Sequence, residues 1–417
     1  MKSLTTLVMM SALLLAATRA RAEEPAQAEP PKGEPVVSAT HEAAPASATT
    51  APADKHEPRP DDSKSGTVQD DLAAPAWSAI TLLGSPIRFA GYFWTDTGYL
   101  VRKNVQAGAY DQNASYMNGR FVLSAAYGRS WGNLAALARV EYLGLVNEFS
   151  NSQYEPHTLD AYLKVGTPLW DVQLGRFLAW EVYYRGQGIE LYTAEEAGVS
   201  GAPTLYLLDY TRGLTNEPGQ AAFHLFPFKW LSFELAGEYG QQSGQTNYYG
   251  IRPVVDLKVL GFELIGGVES QRQLPQTSAD KTNQTLRGYA ARLEYALPIA
   301  RLGVDLARTD VRSVGIDGLI DTSKTLDKTS VGGFVDLDFW RNSVGLGLHF
   351  TTQVNQRQEN NQQIQAFVSY LLRLPIEGLS VKAVYGFARG HFEDASANAQ
   401  WENTMNSVRV RVMYDFR

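Results

Sequence analysis

The chain has 417 residues, a formal net charge of -7 and no cysteine. An acidic balance of that size argues against a nucleic-acid partner, and the lack of cysteine excludes a disulfide scaffold or a lipidated-cysteine anchor. The charge is uneven: residues 1–22 carry Lys2, Arg19 and Arg21, residues 23–75 hold eleven acids against four bases, and the remaining residues are close to balance.

Residues 1–22 read as an export signal. Lys2 gives a positive start, Leu7 to Ala17 a short apolar core, and Ala20-Arg21-Ala22 a small-x-small cleavage site before Glu23. Such a core is about half of what spans a bilayer. Residues 23–75 are rich in alanine, proline and acids and nearly free of aromatics, so they bury too little apolar surface to offset the entropy of ordering. They are expected to form a disordered periplasmic tail. His41 and His56 lie within it without companions at metal-ligand spacing.

From residue 76 to 417 the dominant signal is a period of two. No segment offers 18 consecutive apolar residues, and no spacing of three and four is sustained, which argues against helices. In SFELAGEYG, Phe233, Leu235, Gly237 and Tyr239 share one face, and Glu234, Ala236 and Glu238 the other. The same rule predicts strands at about 87–102, 116–130, 133–147, 157–168, 171–185, 217–226, 229–241, 246–259, 262–273, 284–297, 301–314, 327–340, 343–355, 362–374, 378–391 and 403–417.

The sixteen segments are joined alternately by short connections, such as Gly132-Asn133, Pro227-Phe228 and Leu260-Gly261, and by longer ones, of which 186–216 is the longest. A soluble sandwich has no reason to link turn length to parity along the chain. A transmembrane barrel does, because one rim carries periplasmic turns and the other external loops. The fold class expected is therefore all-β, a transmembrane antiparallel up-and-down barrel with both ends of the body on the short-turn side.

Aromatic residues are expected to form two belts where hydrocarbon meets headgroups. Near the short turns stand Trp131, Trp170, Phe226, Trp230, Trp340, Tyr414 and Phe416; near the long connections stand, among others, Tyr92, Trp94, Tyr239 and Tyr249. In VRVRVMYDFR, Val408, Val410, Val412, Tyr414 and Phe416 are expected to face lipid, with Arg409 and Arg411 facing water and the strand closing onto the first one near 87–101.

On the sixteen-strand alternation, the run DVQLGRFLAWEVYYRGQGIELYTAEEAG (Asp171 to Gly198) and the aromatic last strand, residues 77–417 resemble the single-chain outer-membrane porins of Gram-negative bacteria. The Leu-Gly-Arg-Phe step at 174–177 is similar to the strand before the third loop of phosphate-selective porins, and Arg417 after Phe416 departs from the usual aromatic end. The resemblance implies a third external loop folded into the lumen, a homotrimer, and outer-membrane lipid or lipopolysaccharide as surroundings. The pore constriction is then expected among Arg176, Glu190, Glu195 and Glu196, opposite a basic lumen wall of Arg120, Arg139, Arg292, Arg409 and Arg411.

The function expected is passive diffusion of ions and small hydrophilic solutes through a water-filled pore, with no cofactor, and peptidoglycan is a further partner that the acidic tail fits. The rivals are a plugged or structural barrel or adhesin, and a barrel enzyme. His157, His224, His349 and His391 are scattered over distant strands, and no nucleophile, phosphate-loop or zinc motif accompanies them.

Overall fold

The computed structural model describes residues 66–74, 76–104, 112–147, 157–177, 180, 219–241, 247–274, 282–315, 325–355, 360–394 and 399–416. The signal segment and most of the tail lie outside them, as do Glu190, Glu195 and Glu196. Among the described residues a helix, α1 (Val68–Ala73), precedes β1 (Trp77–Leu82), β2 (Ser85–Asn104), β3 (Gln112–Trp131), β4 (Leu134–Asn147), β5 (His157–Gly166), β6 (Trp170–Arg176), β7 (Gly219–Phe228), β8 (Leu231–Gln241) and β9 (Asn247–Val259). The series continues with β10 (Phe262–Leu274), β11 (Thr282–Leu297), β12 (Ala300–Gly315), β13 (Leu326–Phe339), β14 (Asn342–Asn355), β15 (Asn360–Arg373), β16 (Leu379–Asp394) and β17 (Ala399–Phe416).

Strands β2 to β17 pair each with its chain neighbour, all antiparallel, and β17 returns to β2 through a register running from Asn403↔Asn104 to Phe416↔Gly91. This is the sixteen-stranded closed up-and-down barrel expected from the alternation. Closure leaves no open sheet edge, the condition for a sheet in hydrocarbon. The ring of Phe416 lies over Gly91: a Cβ on that glycine would stand 2.2 Å from Phe416 Cζ. Only the missing side chain admits the ring at the seam.

Alternation sets the two faces. Leu264, Val268, Tyr289, Leu293, Val304, Leu306, Leu346, Leu348, Val408, Val410 and Val412 are exposed on the outside, whereas Asp96, Arg120, Glu141, Asp305, Asp336, Arg409 and Arg411 are buried on the inside. That is the inverse of a soluble protein. Trp131, Trp170, Trp230 and Trp340 are exposed at the short-turn rim, and Tyr414 and Phe416 end β17 at the same rim.

Five features differ from the sequence expectation. Residues 66–74 belong to the stretch read as disordered, yet they carry α1 with a complete capping box: Thr67 Oγ1 accepts from the Asp70 N–H at 3.3 Å, and Asp70 Oδ2 accepts from the Thr67 N–H at 2.8 Å. An additional strand, β1, forms a hairpin with β2 through Leu83 and Gly84, both at positive φ (49° and 80°). It pairs with the part of β2 that extends past the end of β17, so it covers an edge that the closing strand leaves bare.

β6 ends at Arg176, well before the expected 185, where Gly175 at φ 128° breaks the extended path. Finally, Tyr92, Trp94 and Phe226 point inward. Tyr92 and Trp94 share the parity of Asp96, and Tyr92 pairs with Asp415 near the short-turn rim, not near the long connections. The Tyr92-Phe93-Trp94 run puts aromatics on both faces and gives no parity signal. A register shift between Leu225 and Phe228 moves the turn expected at 227–228 to residues 229–230.

Candidate functional site: the inner wall of the barrel

The inner wall is lined by cross-strand ion pairs that follow from register. Arg411 is the direct partner of Asp96 across the closing seam, and its Nε and Nη2 each donate to one Asp96 oxygen at 2.6 Å. The guanidinium also lies 4.0 Å from the centre of the Trp94 ring, and Arg409 Nη1 is 3.8 Å from the same carboxylate. The planar fork and stacking suit arginine and not lysine. Arg120 stands inward beside this group as the register partner of Trp94.

A second group spans β11 to β13. Arg292 donates to Asp305, its register partner, and lies 3.4 Å from Glu294, while Arg301 Nη2 is 3.1 Å from Asp336. Phe334 sits between the two guanidiniums, 5.2 and 5.5 Å from its ring centre. On β4, Arg139 pairs with Glu141, two residues on and hence on the same face. Each expected wall arginine thus faces inward, and Arg139, Arg292, Arg409 and Arg411 are matched by carboxylates of the wall itself.

The third group was not foreseen. His224 Nδ1 is 2.5 Å from Asp171, and its Nε2 is 3.0 Å from Glu234. Both carboxylates are fully buried, and the ring can donate to both only with a proton on each nitrogen. Glu234 also accepts the Trp180 N–H at 3.0 Å, and the Trp180 indole stacks on His224 with centroids 4.6 Å apart. Phe177 is buried against Ala222 and Ala236, with Tyr162 edge-on at 6.0 Å.

Phe177 and Trp180, which follow β6, are therefore turned into the barrel and held on its β7–β8 wall. Arg176 ends β6 paired with Ala161, and the described residues do not bring it together with the three glutamates proposed beside it. The signal missed in the sequence was the inward parity shared by Asp171, His224 and Glu234 on neighbouring strands.

The fourth group anchors α1 on the inner face of β3 to β5. Val68 is wholly buried with Ala135 and Leu137, and Leu72, Ala126 and Tyr162 pack around them. A Cβ on Gly128 would stand 2.3 Å from Leu72 Cδ2, so the glycine opens the space that the helix uses. Lys164 Nζ donates to the Gly66 carbonyl at 2.9 Å and to Asp71 Oδ2 at 2.8 Å, and lies 3.5 Å from Asp171. Arg88 Nη1 donates to the carbonyls of Asp71 and Leu72 at 2.8 and 2.5 Å, a cation on the helix C-terminus. Gln69 reaches the Asn133 carbonyl in the β3–β4 turn at 3.0 Å, which puts the helix just inside the short-turn rim.

No family model matches the sequence, and no curated protein matches it. Solved structures do match in fold. A loop-deletion mutant of OmpT, an outer membrane protein of Vibrio cholerae, superposes with a TM-score of 0.54 at 13% identity, over 79% of this chain and 99% of that one. The anion-selective porin of Comamonas acidovorans gives a TM-score of 0.52 at 15% identity, over 80% and 100%. Closed by β17 on β2, apolar outside and charged within, the chain has the fold of the sixteen-stranded outer-membrane porins.

Proposed function

We propose that the protein is an outer-membrane porin, exported through a cleaved signal peptide, that passes ions and small hydrophilic solutes by passive diffusion. The observation that carries this reading is the pairing of an apolar outer face with an ion-paired inner face on one closed sheet. In lipid the first is the solvated surface, and the second has a purpose only against water or a polar solute. The exposed tryptophans with Tyr414 and Phe416 form the girdle at the periplasmic interface, and the long connections face outward from the cell.

Selectivity is set by the balance of wall charge and by the long connection that starts at Phe177. Because most wall arginines have carboxylate partners, the acids Glu190, Glu195 and Glu196 on that connection tip the balance of charge, and the pore is weakly selective or modestly cation-preferring. Reversal potential in a salt gradient tests this; a strong anion preference overturns it. A homotrimer is the assembly proposed, read by cross-linking in detergent.

A second reading has its own support. With α1 fixed on the β3–β5 wall, the helix itself occupies part of the periplasmic mouth and gates the channel. Conductance with and without residues 23–75 separates an open pore from a gated one.

A further inference from the structure

Charge is rare on the outer face of the strands, and its position is informative. On β10 to β12 the outward residues run apolar from the short-turn rim upward and then change character at one height. Val268 pairs with Tyr289 and Tyr289 with Arg308; one step higher Ser270 pairs with Arg287, Arg287 with Asp310 and Asp310 with Asp327; one step higher again Arg272 pairs with Thr285 and Thr285 with Arg312. The four arginines occupy three adjacent strands and three successive outward rows, a patch roughly 10 Å wide and 13 Å high from strand spacing and rise.

All four are exposed, and the Arg308 and Asp310 side chains keep 45% and 37% of their surface open. Arg308 and Asp310 are 4.0 Å apart, the limit of an ion pair, and two acids face four bases. The excess is local. At the height of Arg308, β13 to β15 present Thr329, Thr352 and Gln362, and outward Arg389 on β16 is matched by Glu402 at 2.8 Å.

Height identifies the neighbour. Phe262 and Tyr295 stack at the short-turn rim, and from Tyr295 to Arg287 and Thr285 the strand climbs about 20 and 25 Å for a tilt near 40°. The apolar band of such barrels is about 25 Å tall, so the patch meets the headgroup layer on the long-loop side. Guanidinium forks match phosphate oxygens two at a time, and four in one patch suit more than one phosphate.

We propose that Arg272, Arg287, Arg308 and Arg312 form an outward-facing site for the headgroup of a multiply phosphorylated membrane lipid. This rests on the transmembrane reading given above. Asp310 and Asp327 are directly opposed within the patch, so the two acids face each other and leave the four arginines in excess.

The test is native mass spectrometry of the refolded full chain in detergent, titrated with a bis-phosphorylated glycolipid and with the same lipid after phosphatase treatment. The parent is expected to retain the phosphorylated lipid at least tenfold better than the stripped one. R287Q/R308Q/R312Q is expected to lose that difference and R389Q to keep it. Equal retention by the triple variant overturns the site, as does displacement of the lipid by an equal concentration of inorganic phosphate, which would mark a free-anion site. If the triple variant does not fold, R308Q and R312Q are read singly, each with a several-fold loss expected. Conductance of the same samples separates the two readings: a conducting triple variant that still binds lipid refutes only the site, and a silent parent that binds lipid refutes only the pore.

Discussion

Lys164→Met should release α1 from the wall. A six-residue helix does not persist alone in water, because helices shorter than about 12 residues lack the length to repay nucleation. Its order is therefore supplied by contacts: burial of Val68, worth about 1.5–3 kcal/mol, the Arg88 bonds to its last carbonyls, and the Lys164 bonds to Gly66 and Asp71. Hydrogen bonds to a charged group contribute about 1.5–3 kcal/mol. Asp71 is 36% exposed, so the lower end applies, and about 1.5 kcal/mol is roughly a tenfold rise in the released population.

Asp171, left without Lys164, keeps the His224 contact at 2.5 Å and does not become an isolated buried charge. The assay uses the absence of native cysteine. Val68→Cys, fully buried when the helix is docked, should react with a maleimide about tenfold faster when Lys164→Met is added. Equal labelling rates in the two backgrounds would refute the idea that Lys164 holds the helix in place.

Two other outcomes follow from the wall. Arg411→Ala removes one partner of a buried forked pair at the closing seam, a loss of about 3–5 kcal/mol, whereas Arg389→Ala breaks an exposed pair worth at most about 1 kcal/mol. Urea midpoints by heat-modifiable gel mobility should order them so. Trp180→Ala removes the indole stacked on His224 and loosens the start of the longest connection, so single-channel conductance should rise above the parent value.

The barrel was legible because its period of two is written in charge as well as apolarity: Arg409 and Arg411 against Val408, Val410 and Val412 leave one register consistent with lipid. Short and long connections then gave closure and the position of the ends. The inward placement of Arg120, Arg139, Arg292, Arg409 and Arg411 was legible for the same reason. The cross-strand partners Asp96 and Asp305 were not, because they depend on register between strands, which one strand does not contain: Asp96 is 315 residues from Arg411.

α1 escaped composition analysis because its order comes from Lys164, Arg88 and the space at Gly128, all on distant strands. The end of β6 was misplaced because FLAWEVYY continues to alternate after Gly175 has turned the chain.

Single-channel recording from the refolded protein in a planar bilayer tests the central claim most directly. Stepwise current that varies linearly with voltage at low bias is the predicted result, whether or not removal of residues 23–75 raises it. Silence of both the full chain and the shortened one, with β-sheet circular dichroism intact, would contradict a water-filled pore.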